Sequence, residues 1–592
     1  MSPDVDAPRI AIVAHRDPRG DVGARVALIA EQLRGMVDRV VLVADGLSDA
    51  GRQRAEAIAD RVVVAPGPTA IALLAAGLTA VDAEMRDAGA ALVTDTERYP
   101  IGDHRDPGRA QDPSGSRPDA WVLVPTAPRQ PLEPSPWLWA SRAVLDDAAW
   151  AQWWRSARDD RGALGMHDLV GALEAAGRSV AALAETGERS VRASLESPGT
   201  AGFVERVLLT ADPLELEEQA LDSRSAARSL RGSAWQGILP EDLRLAAPPR
   251  QVHTAVGGMA IPVGVGRLSG PVRLGVLSHV FYPDALAEIG SALRGMPTGW
   301  DWIVTTGSEA SKADIERRLE TEAPRLQGLE RIEVRVVASN RGRDISAFLL
   351  GCADLLRPDA GGRFAYDVVL KLHSKRSPQD PIARAERFQR HALGSITGSL
   401  DGMLQLFLDE PELGMAMPPQ IHVGYPTLGR AWFGNRPAAE RMASRLSIDV
   451  PFDEGSPLAP YGSMFAARPA ALAPLVDRLG WRDFPDESGY RDGGAAHVVE
   501  RLFAYAAIGE GFAVRTVTTP ELAAESHQVL EWKLQEILRD VPGTSRQQVL
   551  LAAVATRAAA FASGAAVRAA RIAGRAPGRL ARSARRTLRR RG

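Results

Sequence analysis

The sequence predicts an α/β protein with two lobes built on mostly parallel sheets, followed by a helical, basic C-terminal tail. Three observations carry this expectation. A long stretch repeats internally, apolar runs alternate with helical stretches inside each copy, and the composition changes abruptly near the C-terminus.

The first copy runs from RIAIVAHRD (Arg9 to Asp17) through LRGM (Leu33 to Met36) and DRVVLVADG to RVVVAPGPTAIALLAAGL. The second runs from VRLGVLSHVFY (Val272 to Tyr282) through LRGM again (Leu293 to Met296) and WDWIVTTG to VRVVASNRGRDISAFLLGCADLL. Each copy reads as βαβαβα, because continuous β-branched runs fit strands buried on both faces and the intervening stretches fit crossover helices. Ligands in such sheets bind beyond the carboxyl ends of the strands. In the second copy that edge holds NRGRD and KLHSK. In the first it holds APGPT (Ala65 to Thr69) and TDTER, and reads as having lost most of its polar chemistry.

These signals divide the chain into a first lobe over 1–190, a helical connector with a Pro/Gly-rich linker over 191–270, a second lobe over 271–530, and an Ala/Arg-rich helical tail over 531–592. From Arg557 to Gly592 there are eleven arginines and no acidic residue, so a net charge of −2 leaves −13 on the rest of the chain. An arginine-rich helix there would attract anionic lipid, although a basic tail also binds nucleic acid nonspecifically or stays solvated.

The 592 residues suffice for roughly three to five domain equivalents. Near-neutral charge excludes a globally basic nucleic-acid binder, and 45% hydrophobic content excludes a disordered chain. A single cysteine, Cys352, excludes an internal disulfide and a thiolate zinc cluster. The opening MSPDVDAPRI lacks a basic end followed by an apolar core, which predicts a cytoplasmic protein without a secretory signal.

Four stretches concentrate chemistry. In ASNRGRDISAFL, Asn340 and Gly342 suit a tight turn, Arg341 and Arg343 could fork onto phosphate, and Asp344 enters a helix. An ordinary strand-to-helix turn with Asp344 paired to an arginine fits the same spacing. In YDVVLKLHSKRSP, strand alternation puts Lys371 and His373 on one face, with Lys375 just past the strand end. Only four of the 71 basic residues are lysine, so keeping two here suggests that a compact ammonium is wanted, unless this is a solvated edge strand.

The third stretch, PLAPYGSMFAARPAAL, reads as a small-residue loop that carries Ser463 and lines a pocket. The fourth, DFPDESGYRDGGAAHVVERLF, sets Asp486, Glu487 and Asp492 before a helix on which His497 and Glu500 share a face. Those carboxylates suit a general base or a metal ligand, or simply a helix cap with surface charge.

Together the four blocks resemble the rhamnan synthesis protein F family of bacterial polysaccharide glycosyltransferases. The resemblance rests on Asn340 to Asp344, Lys371 to Ser377, Gly462 to Phe465 with Arg468 and Pro469, Phe484 to Glu487, Asp492 with Gly493, and His497 with Glu500 and Arg501. It departs at Gly494, where the family pattern has Thr, and at Ala466, where it has an aromatic. The resemblance is strong over Val272 to Ala507 and faint over Arg9 to Trp154, where Pro66-Gly67-Pro68 stands in place of the Asn-x-Gly-x-Asp turn.

The resemblance implies two nucleotide-sugar-transferase-like (GT-A-type) lobes, the first of them structural or an acceptor-side platform. It also implies rhamnose transfer from a nucleotide diphosphate donor, dTDP-rhamnose being favoured, to a glycan or lipid-linked acceptor. Asp492 or Glu487 would be the base. Asp344 would hold the donor's ribose or nucleobase; Arg343, His373 and Lys375 would face phosphate, with Asn340, Arg341, Lys371 and Ser463 completing the donor site and His497 and Glu500 as further candidates. No cofactor is firmly predicted. A divalent metal is possible but not expected, because His373-Ser374-Lys375 occupies the strand end where many such transferases place carboxylates. The expected location is the inner face of the cell membrane, held by the tail, with no specific nucleic-acid partner. A noncatalytic sugar-binding or scaffold component of a glycan assembly complex is the other reading.

Overall fold

The computed structural model describes residues 7–101, 116–122, 135–159, 161–162, 164–182, 202–337, 339–374, 382–485, 493–552 and 554. The first lobe contains strands β1 (Arg9–His15), β2 (Arg39–Ala44), β3 (Arg61–Val64), β4 (Ala90–Asp95), β5 (Arg98–Pro100), β6 (Ala120–Val122), β7 (Trp137–Ser141), β8 (Val180–Ala182) and β9 (Phe203–Glu205). The second contains β10 (Met259–Ala260), β11 (Leu274–His279), β12 (Trp300–Thr306), β13 (Leu329–Val336), β14 (Val368–His373), β15 (Leu413–Met417), β16 (Phe465–Ala467) and β17 (Ala513–Val517).

The two large sheets share one plan. The first runs β3-β2-β1-β4-β7-β6-β8 and the second β13-β12-β11-β14-β16-β15-β17, with β10 added at its edge. In both, the first four strands are parallel, the fifth position is antiparallel to its neighbours, and the last two positions are parallel to each other. The repeat therefore covers the whole sheet of each lobe. The fifth strand of the second sheet, β16, is only three residues long and falls inside the stretch read from sequence as a pocket-lining loop.

Burial on both faces explains the continuous apolar runs. Along β1, Ile10 and Ile12 enter one core while Ala11 and Val13 enter the other. Along β11, Leu274 and Val276 face one core and Leu277 the opposite one. The short helices between 207 and 255 do not float between the lobes, since Leu208, Leu216, Leu230, Trp235 and Leu243 are buried in the first lobe's core. They also clamp the second lobe: Arg244 donates to the Gly509 carbonyl at 2.9 Å, and Arg250 to the carbonyls of Ser456 and Pro457 at 3.1 and 2.8 Å. The helix Pro520–Leu538 crosses the boundary expected at residue 530. Among the described residues no helix is long and apolar enough to cross a membrane.

Candidate functional site

The carboxyl edge of the second sheet brings four candidates together. The NRGRD turn leaves β13 and enters the helix Arg343–Leu349 through Gly342 at φ 74°. Glycine is required twice over there, because a Cβ would also lie 2.4 Å from the Phe484 ring. The turn sets Asp344 in the first helical turn, within reach of strand β14, which lies three positions along the sheet from β13. Lys371 Nζ donates to Asp344 Oδ2 at 2.6 Å and to the Ser463 carbonyl at 2.7 Å, and Ser463 Oγ donates to the same carboxylate oxygen at 2.5 Å. His373 Nδ1 lies 3.8 Å from that oxygen.

Strand alternation puts Lys371 and His373 on the face covered by this helix, where the Lys371 ammonium also lies 5.7 Å from the centre of the Phe348 ring. Lys371 is 1% exposed. Burial opposes ionisation of Asp344, but His373, Lys371 and the hydrogen bonds from Lys371 and Ser463 outweigh it and hold the carboxyl well below its ordinary range. The partner of Asp344 is thus a lysine, not the arginine that an ordinary turn would use. Two of the three Lys371 N–H donors are directed at Asp344 and the Ser463 carbonyl, so Lys371 holds the carboxylate in place. Ser463 adopts φ 50° at the end of a tight turn, next to Gly462, where a Cβ would lie 2.4 Å from the Phe388 ring.

Arg341 is exposed and its backbone N–H donates to Ser339 Oγ at 3.1 Å, while the Asn340 carbonyl accepts from the Arg343 N–H at 3.1 Å. His497 and Glu500 lie on the helix Ala495–Gly509, where Glu500 pairs with Arg501. Lys375, Asp486, Glu487 and Asp492 lie outside the described residues. Among the described residues there is no group of three or more His, Cys, Asp or Glu side chains able to hold a metal ion.

Sequence reasoning missed His279, which ends β11 directly across from His373. Its Nδ1 lies 3.1 Å from Thr305 Oγ1, and burial, aided by Lys371 and opposed by Asp344, pushes its pKa down to about 4. The available signal was the repeat itself, since His15 occupies the same place in β1.

The first lobe corrects another expectation. Its edge has not lost its polar groups; they are tied up internally. Arg25 and Arg206 pair with Asp242 at 2.6 and 2.9 Å, Arg206 also pairs with Glu97 at 3.0 Å, and Tyr99 donates to Asp242 at 2.5 Å. Asp242 comes from the helix Leu239–Leu243, so the connector completes the polar cluster at the first lobe's edge.

Residues 266–512 match the family model described as rhamnan synthesis protein F. Over this stretch the chain is similar to that family. The match takes in the whole Asp344–Lys371–Ser463 junction, so the second lobe is a glycosyltransferase domain of polysaccharide synthesis. No curated protein matches the chain. Among solved structures, 4-diphosphocytidyl-2C-methyl-D-erythritol synthase is 18% identical, covering 30% of this chain and 88% of its own, with a TM-score of 0.22. Glucosyl-3-phosphoglycerate synthase from Mycobacterium tuberculosis, in complex with phosphoglyceric acid, is 14% identical, covering 47% of this chain and 88% of its own, with a TM-score of 0.21. At such TM-scores neither likeness bears on the chemistry of the rhamnan synthesis protein F-like domain.

Proposed function

We propose that the protein transfers rhamnose from a nucleotide diphosphate donor, dTDP-rhamnose being favoured, to a glycan or lipid-linked acceptor. The observation that supports this most is the buried junction of Asp344, Lys371 and Ser463 at the carboxyl edge of a rhamnan synthesis protein F-like domain, with His373 beside it. In the reaction the acceptor hydroxyl attacks the anomeric carbon, the bond from that carbon to the diphosphate oxygen breaks, and the diphosphate leaves with the electron pair. The hydroxyl proton passes to a carboxylate, for which Asp492 or Glu487 is the candidate.

Asp344, kept ionised by its neighbours, is suited to accept hydrogen bonds from the donor's ribose or nucleobase. His373, Arg343 and Lys375 are the candidates to meet the diphosphate charge. Because the Asp344 carboxylate is already held by Lys371 and Ser463, transfer without a resident divalent cation is the expected outcome. Activity that collapses in EDTA and returns with Mn²⁺ would contradict that part. The internally paired polar edge of the first lobe favours a noncatalytic role for that lobe, as a platform beside the acceptor.

The tail is proposed to hold the enzyme at the inner face of the cell membrane. Its eleven arginines would each contribute ~1 kcal/mol near an anionic surface. Removal of residues 557–592 should release the protein from anionic vesicles while leaving donor hydrolysis intact.

The test of the whole reading is a donor screen on the full chain with dTDP-rhamnose, UDP-hexoses and GDP-hexoses, read by thermal shift. A stabilising shift with dTDP-rhamnose above the others is expected. No response to any nucleotide sugar would favour the scaffold reading.

A further inference from the structure

Phe433 is 51% exposed and adopts φ 49°, the left-handed region that an aromatic residue avoids. A lone exposed phenylalanine needs no explanation. A strained one set between the buried Trp432 and Asn435 does, because such a conformation costs about 1–3 kcal/mol and persists only where the surroundings impose it.

The surroundings do impose it. Next to Phe433, Trp432 is buried, donates from Nε1 to the Asp453 carbonyl at 2.8 Å, and stacks on Phe452 at 5.4 Å with 13° between the rings. Two residues further on, the fully buried Asn435 donates to the Trp432 carbonyl at 3.0 Å. The turn is therefore anchored on both sides while the Phe433 ring stands half in water.

Its neighbours link it to the loop that carries Ser463. The buried Arg501 guanidinium lies 5.9 Å from the centre of the Phe433 ring and 5.1 Å from that of Tyr461. Tyr461 is two residues before Ser463, which donates to Asp344. Asn435 Oδ1 accepts from the Gly493 N–H at 2.9 Å, and Gly493 directly follows the base candidate Asp492. An exposed ring held beside Arg501 and Tyr461 by the Trp432–Asn435 turn fits the apolar C–H face of a sugar.

We infer that Phe433 is the stacking platform for a pyranose ring of the acceptor glycan, held in place by Arg501 and the Trp432–Asn435 turn. Only the naming of that sugar as acceptor rests on the transferase reading.

The test is saturation-transfer difference NMR on the full chain with methyl α-L-rhamnopyranoside, run alongside a dTDP-rhamnose titration. Phe433→Gly relieves the backbone strain, so it should keep or raise the melting temperature and leave dTDP-rhamnose binding unchanged. It should weaken the transfer to the sugar C–H protons by about tenfold, a loss on the scale of an aromatic contact, while Phe433→Trp should preserve it. An equal sugar signal in wild type and Phe433→Gly, or none in wild type, would overturn the inference. If the sugar signal depends on Phe433 but no nucleotide sugar binds, the subsite stands and the transferase reading falls.

Discussion

Lys371 Nζ meets Asp344 Oδ2 at 2.6 Å, and Ser463 Oγ reaches the same oxygen at 2.5 Å. The ion pair is almost wholly out of water, with Lys371 1% exposed. A buried charge that loses its partner is costly, so Lys371→Met and Asp344→Asn should each lower stability by about 3 kcal/mol or more. The double variant should lose less than the sum, because neither charge is then stranded. Urea denaturation of the four proteins measures this. The sign with pH is also fixed. Asp344 is held below its ordinary value of 3.8, so its contribution is intact above that value and shrinks as the pH falls beneath it.

His279 is neutral in the fold, its pKa lowered from 6.5 to about 4, chiefly by burial. As the pH falls from 6.5 towards 4, the unfolded chain takes up a proton that the folded one refuses, so stability is lost across that window, by up to roughly 3 kcal/mol from this group. His279→Gln should flatten the fall in melting temperature between pH 6.5 and 4 relative to wild type.

Asp95 behaves in the opposite sense. Burial raises its pKa from 3.8 to about 7; Glu97 adds to this and Arg98 opposes it. The group stays protonated in the fold while the unfolded chain ionises, so stability is lost as the pH rises from 3.8 through 7. Asp95→Asn retains an acceptor for the Glu97 N–H, which bonds Asp95 Oδ1 at 3.0 Å. That variant should melt higher than wild type at pH 8, with the gain vanishing near pH 4.

Cys352 is buried in the second lobe's core, and burial pushes its thiol up to about 12 against a smaller opposing effect of Arg335. A thiol so rarely ionised is a poor nucleophile. Ellman's reagent should therefore leave the native protein unmodified for hours and label one thiol per chain in 6 M guanidinium.

What the sequence disclosed follows from length scale. The parallel strands were legible because runs such as IAIVA and VVLVA are buried on both faces and need no alternation to be seen. β16 was not, because three residues show no period and Phe465–Ala467 follows a turn. The NRGRD turn was legible from Gly342, but the partner of Asp344 was hidden, since Lys371 arrives from the next strand and Ser463 from a loop over a hundred residues away. The first lobe looked stripped of chemistry because the groups that answer Arg25 and Arg206 come from Asp242, far along the chain. Phe433 gave no signal at all: its strain exists only in three dimensions.

The central claim is that the edge formed by Asp344, Lys371, His373 and Ser463 holds the donor, and calorimetric titration of the full chain with dTDP-rhamnose tests it most directly. His373 lies beside this junction and helps to keep Asp344 ionised, so His373→Gln should bind dTDP-rhamnose about tenfold more weakly, the loss of one charge-assisted interaction, with its melting temperature measured alongside to separate binding from folding. Equal affinity in wild type and His373→Gln, or no binding by wild type, would contradict the assignment of this edge.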